Sequence, residues 1–142
     1  MRVIAGLVLV LGVVFGVGVT AGQKDPSVSD GWVKTPAPGE TTAAAFALVD
    51  NPGMYAIYLL SATTDAAEKV EFREAGPDGV LKTQAIAEVT VPAYESVGMN
   101  PKGLQMLLLG LKRPLKDGDT VSLTLTTEVG LKLYVSAIVR QP

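Results

Sequence analysis

The 142-residue chain is 48% hydrophobic and 6% aromatic, carries 12 basic and 14 acidic residues for a formal charge of −2, and contains neither cysteine nor histidine. Such a length supports one domain with a single core. The missing residue types remove disulfides, thiolate ligands, lipid attachment at a cysteine and imidazole acid–base chemistry from these residues, and nothing in the net negative charge suggests nucleic-acid binding, which needs a clustered basic face.

The first 21 residues place one cation, Arg2, before an apolar stretch that ends in Val19, Thr20 and Ala21. This is the layout of a secretory signal peptide cut after Ala21. The alternative is an uncleaved anchor, because Val3 to Ala21 is just long enough to span a bilayer, although four glycines weaken it as a permanent helix. Either way the folded part leaves the cytoplasm, to the periplasm or beyond, and touches a membrane only through an uncleaved leader. Residues 22–28, "GQKDPSV", read as a flexible lead-in to a domain over 29–142.

From there the signals are those of an all-β domain. Alternating or β-branched runs predict strands over 29–34, 43–50, 54–63, 67–74, 80–91, 95–99, 104–110, 119–127 and 131–139. Between them stand "TPAPGE", "NPG", "AGPDG", "NPKG", "KDGD" and "EVG", which supply Gly or Asn where a turn needs positive φ. The last two strands are the clearest. Val121, Leu123 and Leu125 alternate with Ser122, Thr124 and Thr126, and after a turn Leu131, Leu133, Val135 and Ala137 alternate with Lys132, Tyr134 and Ser136. That is a hairpin with one buried face.

Several residues invite a functional reading. Glu68, Glu71, Glu74 and Asp78 cluster in sequence, but Glu71 and Glu74 fall on opposite strand faces and few aromatic rings are available for a sugar cleft. A solvated edge whose charges discourage further pairing is the simpler reading. Trp32 reads as a packing residue, Asn51 as a turn residue capping its own backbone, and Tyr55, Tyr58, Tyr94 and Tyr134 as buried rings with wet hydroxyls.

A larger pattern links these pieces. "SDGWVKTPAPGETTAAAFALVDNPG", "AAEKVEFRE" and "DGVLKTQAIAEVTVPAYESVGMNPKGLQMLLLGLKRPLKDGDTVSLTL" resemble, in order and spacing, the PCu(A)C periplasmic copper chaperones. The shared frame includes Trp32, Asn51, Gly53, Glu71, Pro101, Gly103, Gly110, Leu111, Gly118 and Asp119. The resemblance implies a cupredoxin-like Greek-key β-sandwich that binds Cu(I), sometimes Cu(II), and passes copper towards cytochrome oxidase assembly, with oxidase assembly factors as partners.

The family's two His and two Met ligands are another matter. Carried onto this chain, their positions fall on Arg73, Thr83, Gln105 and Leu107. Imidazole and thioether groups suit Cu(I), whereas a guanidinium offers no lone pair and repels the ion. No cofactor is therefore expected at the inherited site, which is expected to be a polar cluster of Arg73, Gln105 and Thr83 beside Leu107. Cu(I) remains open only through a relocated thioether site built from Met54, Met99 and Met106, whose simpler reading is core or turn packing.

Three functions follow. The first is a PCu(A)C-type copper-chaperone-like protein, not an enzyme, with a degenerate site. The second is a metal-free binding or assembly module, and the third a carboxylate-based enzyme or small-ligand binder on the same scaffold. A thioether site requires two methionines close together near the surface, an enzyme paired acids in a concave pocket, and an assembly module an exposed apolar patch.

Overall fold

The computed structural model describes residues 25–142; the expected leader and residues 22–24 of the lead-in lie outside the described residues. These residues form nine strands and no helix: β1 (Ser27–Lys34), β2 (Thr42–Asn51), β3 (Ile57–Thr64), β4 (Ala67–Glu74), β5 (Val89–Val91), β6 (Glu95–Gly98), β7 (Leu104–Leu111), β8 (Thr120–Thr127) and β9 (Lys132–Arg140). The all-β expectation holds. Pairing runs β1–β9–β8–β3–β4–β7–β2, and β1 also pairs with β2, so seven strands close into a flattened barrel. β6 extends the pairing of β2 past β7, and β5 adds to β3. Closure leaves little open edge to attract another chain.

The alternation that marks the final hairpin also builds the core. Val121, Leu123, Leu125 and Ala137 are at most 1% exposed, and their neighbours Ser122 and Tyr134 face outward. Leu131, in the turn, is partly exposed. On the opposite side Phe46, Met106 and Leu108 complete the core. Trp32 packs on Phe46 with ring centroids 4.4 Å apart, and the Arg140 guanidinium caps its ring at 4.1 Å.

Several expectations need correction. The lead-in ends earlier than predicted, because Ser27 and Val28 already pair with Asp50 and Val49. A one-residue shift between Ser29 and Trp32 then bulges β1, with Asp30 at φ 53°. The strand predicted over 80–91 shrinks to Val89–Val91. Before it, only Leu81 and Ile86 form bridges, to Ala75 just past β4 and to Phe72 within it. They fill the side of β4 that β3 abandons after a single aligned pair, Ala62 with Val70, and exposed Lys82–Ala85 prevents a continuous inward face.

The tyrosines differ too. Tyr55, Tyr94 and Tyr134 are 73%, 71% and 69% exposed. Tyr134 points outward by strand alternation, whereas Tyr55 and Tyr94 stand on two loops at one end of the barrel. Asn51 ties those loops together, donating from Nδ2 to the carbonyls of Tyr55, Val91 and Pro92 at 2.9, 3.1 and 3.1 Å and accepting from Gly53 N–H at 3.1 Å. The expected turn cap is present in that last bond, within a wider clamp. Tyr94 is held there at φ 61°, a strained conformation for a bulky residue.

Candidate functional site

Antiparallel pairing of β4 with β7 sets Arg73 opposite Gln105, Glu71 opposite Leu107 and Lys69 opposite Leu109. Because strand side chains alternate, Phe72, Met106 and Leu108 turn into the core, and Glu71, Arg73, Gln105 and Leu107 share the other face. Two of the predicted site positions, Arg73 and Gln105, are thus direct neighbours in the register, with Leu107 two residues along. Thr83 is not with them. It lies exposed in the 75–88 segment and makes no side-chain hydrogen bond among the described residues.

The expected polar cluster forms differently. Arg73 donates to Glu71 Oε2 from Nε at 3.1 Å and from an Nη at 2.7 Å, and Lys69 Nζ reaches Glu71 Oε1 at 2.9 Å. Lys69, Glu71 and Arg73 lie two residues apart along one strand face, so the pairing is local. The hydrogen bonds from Lys69 and then Arg73 hold the Glu71 carboxyl below its ordinary range. Gln105 instead donates to Pro101 O at 3.3 Å. Neither partner was anticipated, although the shared parity of 69, 71 and 73 was available as a signal.

Gln105 and Leu107 also face a groove of about 1290 Å³. Ala44, Leu107 and Leu111 contribute apolar floor, and Leu81 is the residue of the 75–88 segment that lines it. One wall is the 35–40 loop, with Pro36 and Pro38, and the other is the 112–117 loop. The Thr35 hydroxyl donates to Asp117, linking the two walls. Among the described residues no group of three His, Cys, Asp or Glu side chains converges as a metal site.

The model of the family described as "Putative lipoprotein LpqE-like" matches residues 27–139, most of the chain. The chain belongs to the LpqE-like family. It is 34% identical over 100 residues to "Putative lipoprotein Lxx21020" of Leifsonia xyli subsp. xyli (strain CTCB07), and that match spans 69% of this chain and 59% of the relative. The LpqE-like chain thus spans about three fifths of the curated relative it matches.

Among solved structures, the apo PCuAC domain from PmoF1 superposes with a TM-score of 0.73 at 22% identity, over 84% of this chain and 97% of that one. The copper-bound PCuAC domain from PmoF2 gives 0.70 at 21%, over 85% and 97%. The solution structure of CuI-DR1885 from Deinococcus radiodurans gives 0.64 at 28%, over 82% and 76%. The fold of the LpqE-like chain is therefore that of PCuAC domains, as the resemblance implied.

The methionines of the LpqE-like chain occupy separate settings. Met106 is fully buried opposite Ala45 and Phe72. Met99 is 7% exposed and its N–H bonds Ala47 O, whereas Met54 is 58% exposed on the loop clamped by Asn51. Of these three, Met54 alone is exposed, so no two of them share an exposed setting. With Met106 on the core face, its β7 neighbours Gln105 and Leu107 line the groove.

Proposed function

We propose that this LpqE-like chain acts outside the cytoplasm as a non-enzymatic, metal-free binding module on a PCuAC-type fold. The observation that carries the proposal is the Arg73 guanidinium, bonded to Glu71 and opposite Gln105 on β4 and β7. The relatives from PmoF2 and Deinococcus radiodurans were solved with copper. In this chain the corresponding face offers a fixed cation, an amide and a hydrocarbon side chain, none a good Cu(I) ligand.

Two further features support a binding role. The groove beside Gln105 and Leu107 is concave and preformed, and its acidic lining residues, Glu40 and Asp117, include one already engaged by Thr35. Exposed Met54, Tyr55 and Tyr94 stand on loops joined by the Tyr94 N–H to Gly53 O bond, the apolar surface anticipated for an assembly module. Partners among extracytoplasmic assembly factors, including those of cytochrome oxidase, fit this reading. An extracytoplasmic location is supported by the leader composition and by the lipoprotein names of the family and the Leifsonia relative. The 142 residues offer no cysteine thiol for acylation.

The test is anaerobic Cu(I) titration of the purified chain against a competing chromophoric chelator. The expected result is a chelator spectrum unchanged by the protein; stoichiometric withdrawal of copper by the protein overturns the proposal.

A further inference from the structure

We propose that the groove over β2 and β7 binds an extended, acidic peptide segment of a partner protein, an inference that rests on the metal-free reading above. It begins with Gln105. This side chain is in the most buried class, its residue 6% exposed, and its only protein partner among the described residues is Pro101 O, at 3.3 Å from Nε2. Among the described residues, one N–H and the amide carbonyl are left without a protein partner at the groove floor. Buried polar groups are nearly always paired, and one that is not calls for a reason. A peptide unit presents a donor and an acceptor of its own, the complement of a side-chain amide. A hydrocarbon chain laid over Leu107 and Leu111 leaves the same amide dry and unpaired, which disfavours a lipid tail as the occupant.

Charge supplies the second, independent observation. Lys34, Lys112, Arg113 and Lys116 line the groove, and none is within ion-pair distance of a carboxylate among the described residues. The acids at the groove are Glu40 and Asp117, against an overall charge of −2 for the chain. An acidic protein that gathers unpaired cations around one concavity creates a local field of opposite sign, which favours an acidic partner. Arg113 already spends one N–H on Thr120 O, at 3.3 Å, so the three lysines are the freest of the set.

Shape gives the third. At about 1290 Å³ the groove exceeds the ~300–1,000 Å³ usual for small-molecule clefts. Its walls carry Pro36, Pro38 and Pro114, whose fixed φ lowers the ordering cost of binding. Apolar floor, one central amide and a cationic rim together specify a segment that alternates apolar and acidic side chains about a backbone unit.

The purified chain is presented with a displayed library of random octapeptides, and phosphatidylglycerol vesicles are assayed in parallel. Enrichment of peptides that alternate Glu or Asp with apolar residues is expected, with binding that weakens as salt is raised. The affinity of the leading peptide should fall roughly tenfold or more for Gln105→Leu and for the exposed pair Lys112→Glu and Lys116→Glu; circular dichroism verifies the fold of each. No enrichment, enrichment without acids, indifference to both variants, or binding of vesicles in place of peptides overturns the inference. A parallel Cu(I) titration separates the two failures. Copper uptake refutes the metal-free reading itself, whereas a copper-free chain that selects no acidic peptide refutes this inference alone.

Discussion

Asn51 provides a quantitative test of how the barrel end is held. Its residue is 1% exposed, its Nδ2 faces three carbonyls at 2.9–3.1 Å, and its Oδ1 accepts the Gly53 N–H. Asn51→Asp keeps the size and the accepted bond but removes both amide protons. Below about pH 4 the aspartic acid is protonated in both states and still donates one hydrogen bond, so the loss is about 1–2 kcal/mol. Above that pH the unfolded chain ionises first, because a carboxylate surrounded by carbonyl oxygens and buried from water has a raised folded pKa. The folded state then holds the extra proton, and stability falls by about 1.4 kcal/mol for each pH unit until the folded pKa is passed. By pH 7 the added loss reaches about 4 kcal/mol if that pKa lies at 7 or higher, a large share of a typical ~5–15 kcal/mol. Asn51→Ala, which cannot ionise, should cost about 3 kcal/mol with no such slope. Urea midpoints of the wild type and both variants at pH 4, 5.5 and 7 measure this. Parallel pH profiles for Asn51→Asp and the wild type would refute the clamp described for Asn51.

Met106→Ala should lower unfolding stability by about 2–5 kcal/mol, read by urea denaturation, because it empties a fully buried side chain in the core; a surface thioether ligand would show almost no such cost. Glu71, whose carboxyl is held low by Lys69 and Arg73, contributes stability that is present above the ordinary carboxyl pKa and lost as pH falls through its lower folded pKa. Glu71→Gln should therefore flatten the acid limb of the stability profile, followed by Trp32 fluorescence. An unchanged acid limb would show that the Lys69–Glu71–Arg73 contacts contribute nothing in solution.

Much of the architecture is legible in residue order because alternation and turn chemistry act locally. The hairpin of β8 and β9 follows from Val121, Leu123 and Leu125, and the ending of β7 from Gly110, which adopts φ 70° and faces Glu68, where a Cβ would sit 2.9 Å from Oε2. The segment 80–91 misleads because Val80, Leu81, Ile86 and Val89 imitate a strand, while the actual choice is made by β3 leaving β4. That choice is tertiary, and no local window contains it. The same cause moves the loop's contribution to the groove from Thr83 to Leu81. The Arg73 acceptor was within reach of the period-two rule, since Glu71 and Arg73 share a face. The exposure of Tyr55 and Tyr94 was not, because it depends on how Asn51 draws together loops some 40 residues apart.

The proposal is that the Arg73, Gln105 and Leu107 face of β4 and β7 carries no copper chemistry on a PCuAC-type fold. It is tested most directly by titrating Cu(I), under anaerobic conditions and against the same chelator, into the native chain and into a variant carrying Arg73→His, Leu81→Met, Gln105→His and Leu107→Met. The account predicts that the native chain leaves the chelator loaded and the variant withdraws one equivalent, more tightly than a counterpart with Thr83→Met in place of Leu81→Met. Stoichiometric copper uptake by the native chain would contradict it.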